Sequence, residues 1–119
     1  MTVLTRTGND DRLNTRKLMI CLDVDGTIVN HRGQMSERVR RSAREVVERG
    51  HEVVISTGRS LGAALPIVRE LGIDHGYVVA SNGGVLAKIT GEDVDVFHRE
   101  VFDPSLALAA LWRSLPNAK

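Results

Sequence analysis

The sequence predicts an α/β fold in which three parallel strands begin the sheet and two helices connect them. Short apolar segments recur at 17–23, 52–56 and 77–80, and segments with helical periodicity lie between them. The links are short and carry turn residues, which favours a parallel sheet with right-handed crossovers and helices on both faces. With 119 residues, the chain is one domain or part of one.

The first strand, predicted over 17–23, is continuously apolar from Leu18 to Leu22 rather than alternating. A continuous apolar run is typical of a central parallel strand that is covered on both faces. Cys21 is the only cysteine and falls within this run, so we expect a small core residue there rather than a reactive thiol.

Each of the two helices predicted between the strands has a serine at its start and a glycine at its end. The first begins near Ser36 and ends at Gly50, and the second begins at Ser60 and ends near Gly72. Pro66 lies inside the second helix and is expected to kink or shorten it.

The pattern changes after the third strand. Segments 85–89 and 94–101 are predicted to be strands joined by a turn at 90–93, which makes a β-hairpin. A last helix is predicted to begin with Asp103 as its N-cap and Pro104 as its first residue. The apolar face of this helix, expected to pack into the core, comprises Leu106, Ala109, Ala110, Leu111 and Trp112.

We divide the chain into three parts on these patterns. Residues 1–16 are polar and lack a sustained period, so we expect a flexible tail there. Residues 17–102 form the predicted core domain, and residues 103–119 form a helix that leads out of it.

Charge and hydropathy argue against two classes of partner. The 16 basic and 15 acidic residues give a formal net charge of +1, so neither a nucleic acid nor an anionic membrane surface is expected as a partner. No stretch approaches the roughly 18 apolar residues of a membrane span, and the N-terminus lacks the apolar segment of a secretory signal. We therefore expect a cytoplasmic protein.

Two carboxylates follow the first strand, in the segment Asp23-Val24-Asp25-Gly26-Thr27. Ligands of open α/β sheets bind outside the carboxyl ends of the strands, and two carboxylates placed there suit Mg²⁺. An ordinary Asp-Gly turn would explain Asp25 and Gly26 but not Asp23. An ionised aspartate directly after an apolar run is costly unless something pairs with it, which favours a functional site.

The second and third strands also end in residues that suit an anion. Thr57, Gly58 and Arg59 follow the second strand, and Asn82 follows the third together with two glycines. Taken alone, each segment is explained as well by a polar loop or turn. Independent turns would rarely coincide in this way on three successive strands, so we interpret the segments together as a phosphate site.

These segments carry a resemblance to a known family. Asp23-Val24-Asp25-Gly26-Thr27 resembles the first motif of the haloacid dehalogenase (HAD) superfamily of phosphatases. Ser56-Thr57-Gly58-Arg59 is similar to the second motif of its Cof-type subfamily, which carries a type IIB cap, and Asn82-Gly83-Gly84 resembles a turn of that subfamily. The resemblance covers about residues 17–115 and implies a Rossmann-like core sheet, a β-hairpin and the start of a cap.

The resemblance also implies chemical roles. Asp23 would be the nucleophile that forms an aspartyl-phosphate, and Asp25 would be the general acid and then the base. Mg²⁺ would be held by the Asp23 carboxylate and the Asp25 backbone carbonyl. The residues implied to contact the phosphoryl group and the substrate are Thr57, Gly58, Arg59 and Asn82. The substrate would be a small phosphorylated metabolite, with a sugar phosphate favoured.

Two motifs of that family have no counterpart in the sequence. These are a downstream lysine that neutralises the phosphoryl charge and a downstream acidic motif that completes the metal shell. In the Cof-type pattern both lie beyond a cap domain inserted after the hairpin, and Lys88 in the hairpin is expected to face solvent. We therefore expect the N-terminal portion of a Cof-type phosphatase, with an incomplete core, little activity alone and self-association through an exposed sheet edge.

Two other interpretations stay open. The chain could be non-catalytic, binding phosphate or a protein partner, or it could be one half of a two-chain assembly that supplies the missing motifs. A phospho-acceptor receiver domain also uses an aspartate at a strand end, but here no acidic pair precedes another strand that bears an aspartate.

Overall fold

The computed structural model describes residues 16–115 and 117, so the tail predicted at 1–16 lies outside the described residues except for Arg16. The elements in chain order are β1 (Met19–Asp23), α1 (Glu37–Glu48), β2 (Glu52–Ser56), α2 (Leu61–Glu70), β3 (His75–Ala80), a 3₁₀ turn (Ser81–Gly83), β4 (Val85–Thr90), β5 (Asp93–Arg99) and α3 (Ser105–Ser114). They match the predicted strands and helices to within a few residues.

The sheet has the order β1-β2-β3-β4-β5. The first three strands are parallel, and β4 and β5 continue the sheet as an antiparallel hairpin. Asp23 lies beside Ser56, and Ser56 beside Val79, so the three parallel strands end together. We call this region the carboxyl end of the sheet. The α/β class, the parallel beginning and the hairpin are confirmed.

The two helices between the strands begin and end as predicted. The side chains of Ser36 and Ser60 each accept a hydrogen bond from the backbone amide three residues further on. Gly50 and Gly72 follow the helices at φ values of +82° and +74°, which only glycine adopts without strain. The second helix continues beyond Pro66, which therefore does not shorten it. No helix in the described ranges is long and apolar enough to cross a bilayer.

The core lies on one face of the sheet. Leu22, Ile55 and Val78 on that face belong to one buried cluster with Ala43 of α1 and Val68 of α2. Two right-handed crossovers that advance in the same direction place their helices on the same side of a sheet. Within the described residues, α1 and α2 therefore share one face, where the sequence predicted helices on both.

β1 is an edge strand of the described sheet rather than the predicted central one. Met19 is 70% exposed and Cys21 is exposed, whereas Leu22 points to the other face and is buried. The predictions of a strand covered on both faces and of a core cysteine are wrong. An apolar run indicates a strand, but it does not reveal which elements pack against each face.

α3 differs from its prediction in two respects. Pro104 rather than Asp103 is its N-cap residue, and the Asp103 carboxylate accepts a hydrogen bond from the Ser105 amide at 2.9 Å. No residue of α3 is buried: Leu106 is 87% exposed and Trp112 is 70% exposed. The prediction that this helix packs its apolar face and Trp112 into the core is therefore wrong.

Candidate active site

Three loops meet at the carboxyl end of the sheet, after β1, β2 and β3. The second and third are joined by two backbone hydrogen bonds: the Ser81 amide donates to the Arg59 carbonyl at 2.8 Å, and the Asn82 amide donates to the Thr57 carbonyl at 3.1 Å. The Thr57 amide also donates to the Val79 carbonyl at 2.8 Å. These bonds hold the two loops against each other as one unit.

The loop after β1 is a tight turn around the buried residue Val24. Its carbonyl accepts hydrogen bonds from three successive amides, those of residues 27–29, at 3.0–3.2 Å. Gly26 has a φ of +74° and donates its amide to the Val29 carbonyl. The turn leaves the carboxylates of Asp23 and Asp25 exposed on either side of the buried Val24.

Asp25 and Arg59 form a two-bond ion pair across the first and second loops. Nε of Arg59 donates to Oδ2 of Asp25 at 2.9 Å, and Nη2 donates to Oδ1 at 2.6 Å. These hydrogen bonds, reinforced by the charge of the guanidinium and opposed by partial desolvation, hold the pKa of the Asp25 carboxyl below its ordinary range. The same contacts raise the pKa of Arg59.

Asp23 has a different environment. Its Oδ2 accepts a hydrogen bond from the Thr27 hydroxyl at 3.3 Å. Among the described residues, no Lys, Arg or His forms an ion pair with it. Its carboxylate is exposed, so the expected cost of burying an ionised aspartate does not arise. The functional interpretation of Asp23 therefore depends on its position at the strand end.

In the second and third loops, the Thr57 hydroxyl, the Asn82 side-chain amide and Gly58 lie together. Thr57 is buried at 5% exposure, and its Oγ1 accepts a hydrogen bond from the Arg59 amide at 3.0 Å. A Cβ on Gly58 would lie 3.0 Å from Oδ1 of Asn82, so a larger residue at this position would require the Asn82 side chain to shift. Ser81 and Asn82 both adopt positive φ values, of 50° and 53°, a conformation that is uncommon outside glycine.

The structure thus places all six predicted site residues at the carboxyl end of the sheet. It brings Asp25 into contact with Arg59 and Asn82 close to Gly58. The chemical roles assigned to them stay predictions. Sequence reasoning missed the Asp25–Arg59 pair, because residues 34 positions apart carry no local signal of contact. It also missed the left-handed backbone conformation of Ser81, because a serine that precedes Asn-Gly-Gly is at most a weak signal of that conformation.

Neither lysine of the described residues reaches this site. Lys17 pairs with Glu52 at 2.8 Å, at the amino end of β1 and β2. Lys88 lies beside Tyr77 in the middle of the sheet and is exposed, as predicted. Neither described lysine is therefore placed to neutralise phosphoryl charge at the carboxyl end of the sheet, whereas Arg59 lies there.

The donor set fits Mg²⁺ better than metals that need several protein ligands. Within the described ranges, no three His, Cys, Asp or Glu side chains are grouped closely enough to hold a metal ion. Mg²⁺ is commonly held by one or two carboxylates, while water and phosphate oxygens supply the remaining ligands. Asp23 offers such a carboxylate, and Asp25 lies two residues away along the chain.

A model of the haloacid dehalogenase-like hydrolase family matches residues 20–110. This chain belongs to the haloacid dehalogenase-like hydrolases. The match confirms the resemblance that the three strand-end segments indicated. The family consists of hydrolases, so the chain belongs to an enzyme family.

Curated relatives and solved structures agree with this membership. Phosphatase YwpJ of Bacillus subtilis is 34% identical over 100 residues, which are 83% of this chain and 34% of YwpJ. 5-amino-6-(5-phospho-D-ribitylamino)uracil phosphatase YcsE of the same species is 34% identical over 65 residues, 55% of this chain and 26% of YcsE. A haloacid dehalogenase-like hydrolase structure from B. subtilis has a TM-score of 0.66 at 33% identity, covering 86% of this chain and 34% of that one. The chain thus spans about a third or less of the relatives it matches.

Proposed function

We propose that this HAD-like hydrolase contributes the nucleophile half of a Mg²⁺-dependent phosphomonoesterase. The observation that carries the proposal is the joint position of Asp23, Asp25 and the Thr57-Gly58-Arg59 loop at the carboxyl end of one sheet. Relatives that are named phosphatases support the reaction class. Because the chain spans about a third of those relatives, full activity is proposed for an assembly or longer chain that contains it.

The proposed reaction proceeds in two displacements. In the first, Asp25 has taken up a proton from solvent, an Asp23 carboxylate oxygen attacks phosphorus, the ester P–O bond breaks, and the leaving alcohol takes that proton from Asp25. In the second, water attacks the aspartyl-phosphate, Asp25 takes a proton from that water, and the P–O bond to Asp23 breaks. Inorganic phosphate leaves, and both aspartates return to their starting states.

The remaining residues bind and neutralise the phosphoryl group in this proposal. The Thr57 hydroxyl oxygen already accepts from the Arg59 amide, which leaves its O–H as a donor for a phosphoryl oxygen. Mg²⁺ would supply neutralisation of the phosphoryl charge when bound. The Asp23 carboxylate and the Asp25 backbone carbonyl would hold it.

We propose a small phosphorylated metabolite as the substrate, with a sugar phosphate favoured. The name of YcsE describes a phosphorylated ribityl compound as the substrate of that relative, which supports a polyol or sugar phosphate for this chain. Phosphate release from a panel of sugar phosphates, polyol phosphates and nucleotides would test this, and a preference for nucleotides would contradict it.

The reaction itself is tested by Mg²⁺-dependent hydrolysis of p-nitrophenyl phosphate. The wild-type chain is compared with Asp23→Asn, which keeps the size of the side chain and removes the nucleophile. Activity that depends on Mg²⁺ and is lost in the variant supports the proposal. Equal activity above the uncatalysed rate in both proteins contradicts it.

Phosphate binding without turnover is the second candidate function. It is favoured by the position of the two described lysines, Lys17 and Lys88, away from the carboxyl end of the sheet. A chain that binds inorganic phosphate and hydrolyses nothing would support this function, including its form as one half of a two-chain assembly.

We also propose that the chain self-associates through the β1 edge of the sheet. Leu18 and Met19 are exposed at this edge, and an exposed edge strand presents unpaired backbone groups to a second chain.

A further inference from the structure

We propose that Arg59 changes partner when an oxyanion binds, leaving Asp25 for the anion, so that substrate binding itself releases Asp25 for catalysis. This inference rests on the proposed phosphatase function and deepens it. It assigns to Arg59 a positioning role in addition to contact with substrate.

The first observation is that Arg59 occupies both oxygens of the Asp25 carboxylate. Nε and Nη2 donate to Oδ2 and Oδ1 at 2.9 and 2.6 Å, in the forked geometry that a guanidinium forms with a carboxylate. A carboxyl that is to act on a leaving group or on water must direct one oxygen at it. In the described arrangement each oxygen accepts from Arg59, and an Asp25 that carries a proton for the leaving group can no longer accept both bonds, so this pair has to open for Asp25 to act as an acid.

The second observation is that Arg59 has a fixed backbone and a less constrained side chain. Its amide donates to Oγ1 of Thr57, and its carbonyl accepts from the Ser81 amide, so the main chain is held in the proposed phosphate loop. The side chains of Arg59 and Asp25 are 31% and 60% exposed, and the guanidinium can turn about its side-chain bonds without disturbing the core.

The third observation concerns charge. A phosphoryl group held at Thr57 and Gly58 would lie in the loop that also carries Arg59, and phosphate accepts the same two-bond fork as a carboxylate. A phosphate dianion carries more charge than a single carboxylate and repels Asp25. Both effects favour transfer of the guanidinium from Asp25 to the phosphate.

Binding of inorganic phosphate at constant Mg²⁺, measured by calorimetry, tests the exchange without turnover. The proteins are wild type, Asp25→Asn, Arg59→Gln and the double variant. If Asp25 competes with phosphate for Arg59, Asp25→Asn tightens phosphate binding by about two- to fivefold, the range expected for an exposed ion pair. In proteins that also carry Arg59→Gln, the gain in phosphate affinity from Asp25→Asn is at least halved, because Asp25 then no longer competes with phosphate for Arg59.

Each other outcome overturns the inference. An equal gain in both backgrounds means that Asp25→Asn acts only by removing a negative charge, and weaker binding in Asp25→Asn means that Arg59 holds both anions together. Absence of phosphate binding by the wild type overturns it too, while p-nitrophenyl phosphate hydrolysis decides separately on the proposed function. The NMR signal of the Arg59 Nε–H group, which should move when phosphate is added, gives a second readout. Amide spectra of all four proteins verify that they fold.

Discussion

At the scale of single residues, the two aspartates of the site differ although they are only two positions apart. Asp25 is held by the Arg59 fork, whereas Asp23 accepts only a hydroxyl hydrogen bond within the described residues. The difference arises in the turn around Val24, which directs the second carboxylate toward the loop after β2. The Asp23 carboxylate is thereby exposed beside the Thr27 hydroxyl, whereas the Asp25 carboxylate is bound by Arg59.

The Asp25–Arg59 pair predicts an acid-shifted carboxyl titration. Because the pKa of Asp25 is lowered in the folded protein, the pair contributes stability above the ordinary aspartate range and loses it as the pH falls through the folded pKa. In Arg59→Gln the titration should move up toward the ordinary aspartate value. Carbon-detected NMR of the side-chain carboxyls measures the Asp25 titration in the wild type and in Arg59→Gln. The same Asp25 pKa in the two proteins would contradict a pairing of Asp25 with Arg59.

Gly58 predicts a steric effect on the site. In Gly58→Ala the new methyl group meets Oδ1 of Asn82 at 3.0 Å, so the asparagine must move. Since a misplacement of about 1 Å can cost a hundredfold in rate, we expect phosphate binding or hydrolysis to fall by about three- to tenfold.

Gly62→Ala is the matched control for this substitution. Apart from its chain neighbours and the backbone of its own helix turn, no atom lies within 4 Å of the added methyl group, and Gly62 lies in α2 with an ordinary backbone. Alanine is the better helix former, so stability should rise by about 0.5 kcal/mol or less, with phosphate binding unchanged. Equal effects of the two substitutions on binding would show that the contact with Asn82 is unimportant.

At the scale of elements, α1 and α2 depend on their caps. Ser36→Ala removes the side-chain acceptor of the Val39 amide and should lower the free energy of unfolding by about 1 kcal/mol. Ser42→Ala, in the middle of the same helix, should leave stability unchanged or raise it slightly, because alanine has the higher helix propensity. Urea unfolding of both variants measures this, and a neutral Ser36→Ala would rule out a stabilising cap.

The helices and strands also show how much of the fold can be predicted from the sequence. Strand runs, cap serines and terminal glycines are local signals, and they predicted β2, α1 and α2 nearly to the residue. The strand-end position of the site followed from the parallel order. The exposure of β1 and α3, and the Asp25–Arg59 contact, depend on which distant segments pack together, and a local pattern does not encode that. Trp112 is an example, because a tryptophan is expected in a protein core, whereas no described element covers this side chain.

At the scale of the whole molecule, the described residues cover one face of the sheet and leave the other largely exposed. Met19, Tyr77 and Phe97 are exposed among the described residues, and the two aromatic rings meet edge to face with centroids 6.1 Å apart. Exposed apolar surface of this kind marks a place where another polypeptide segment can pack.

From the exposed β1 edge we predict self-association of the chain. A single charge introduced at position 19 should weaken it. The wild-type chain should sediment as a mixture of monomer and larger species whose proportions depend on concentration, and Met19→Lys should shift it toward monomer. Val101→Lys, an equally exposed apolar-to-charged change outside the strands, is the control. A monomeric wild type at all concentrations, or equal effects of both substitutions, would contradict association through β1.

We propose that Asp23 takes the phosphoryl group while Asp25 exchanges protons with the leaving group and water. The most direct measurement is covalent labelling with acetyl phosphate and Mg²⁺, followed by mapping of the modified residue by mass spectrometry. It is best made on Asp25→Asn, in which the second displacement lacks its base and the intermediate should accumulate. We predict one hydroxylamine-sensitive phosphoryl group on Asp23, absent from the Asp23→Asn variant. A label on another residue, or none on a protein that binds phosphate, would contradict the account.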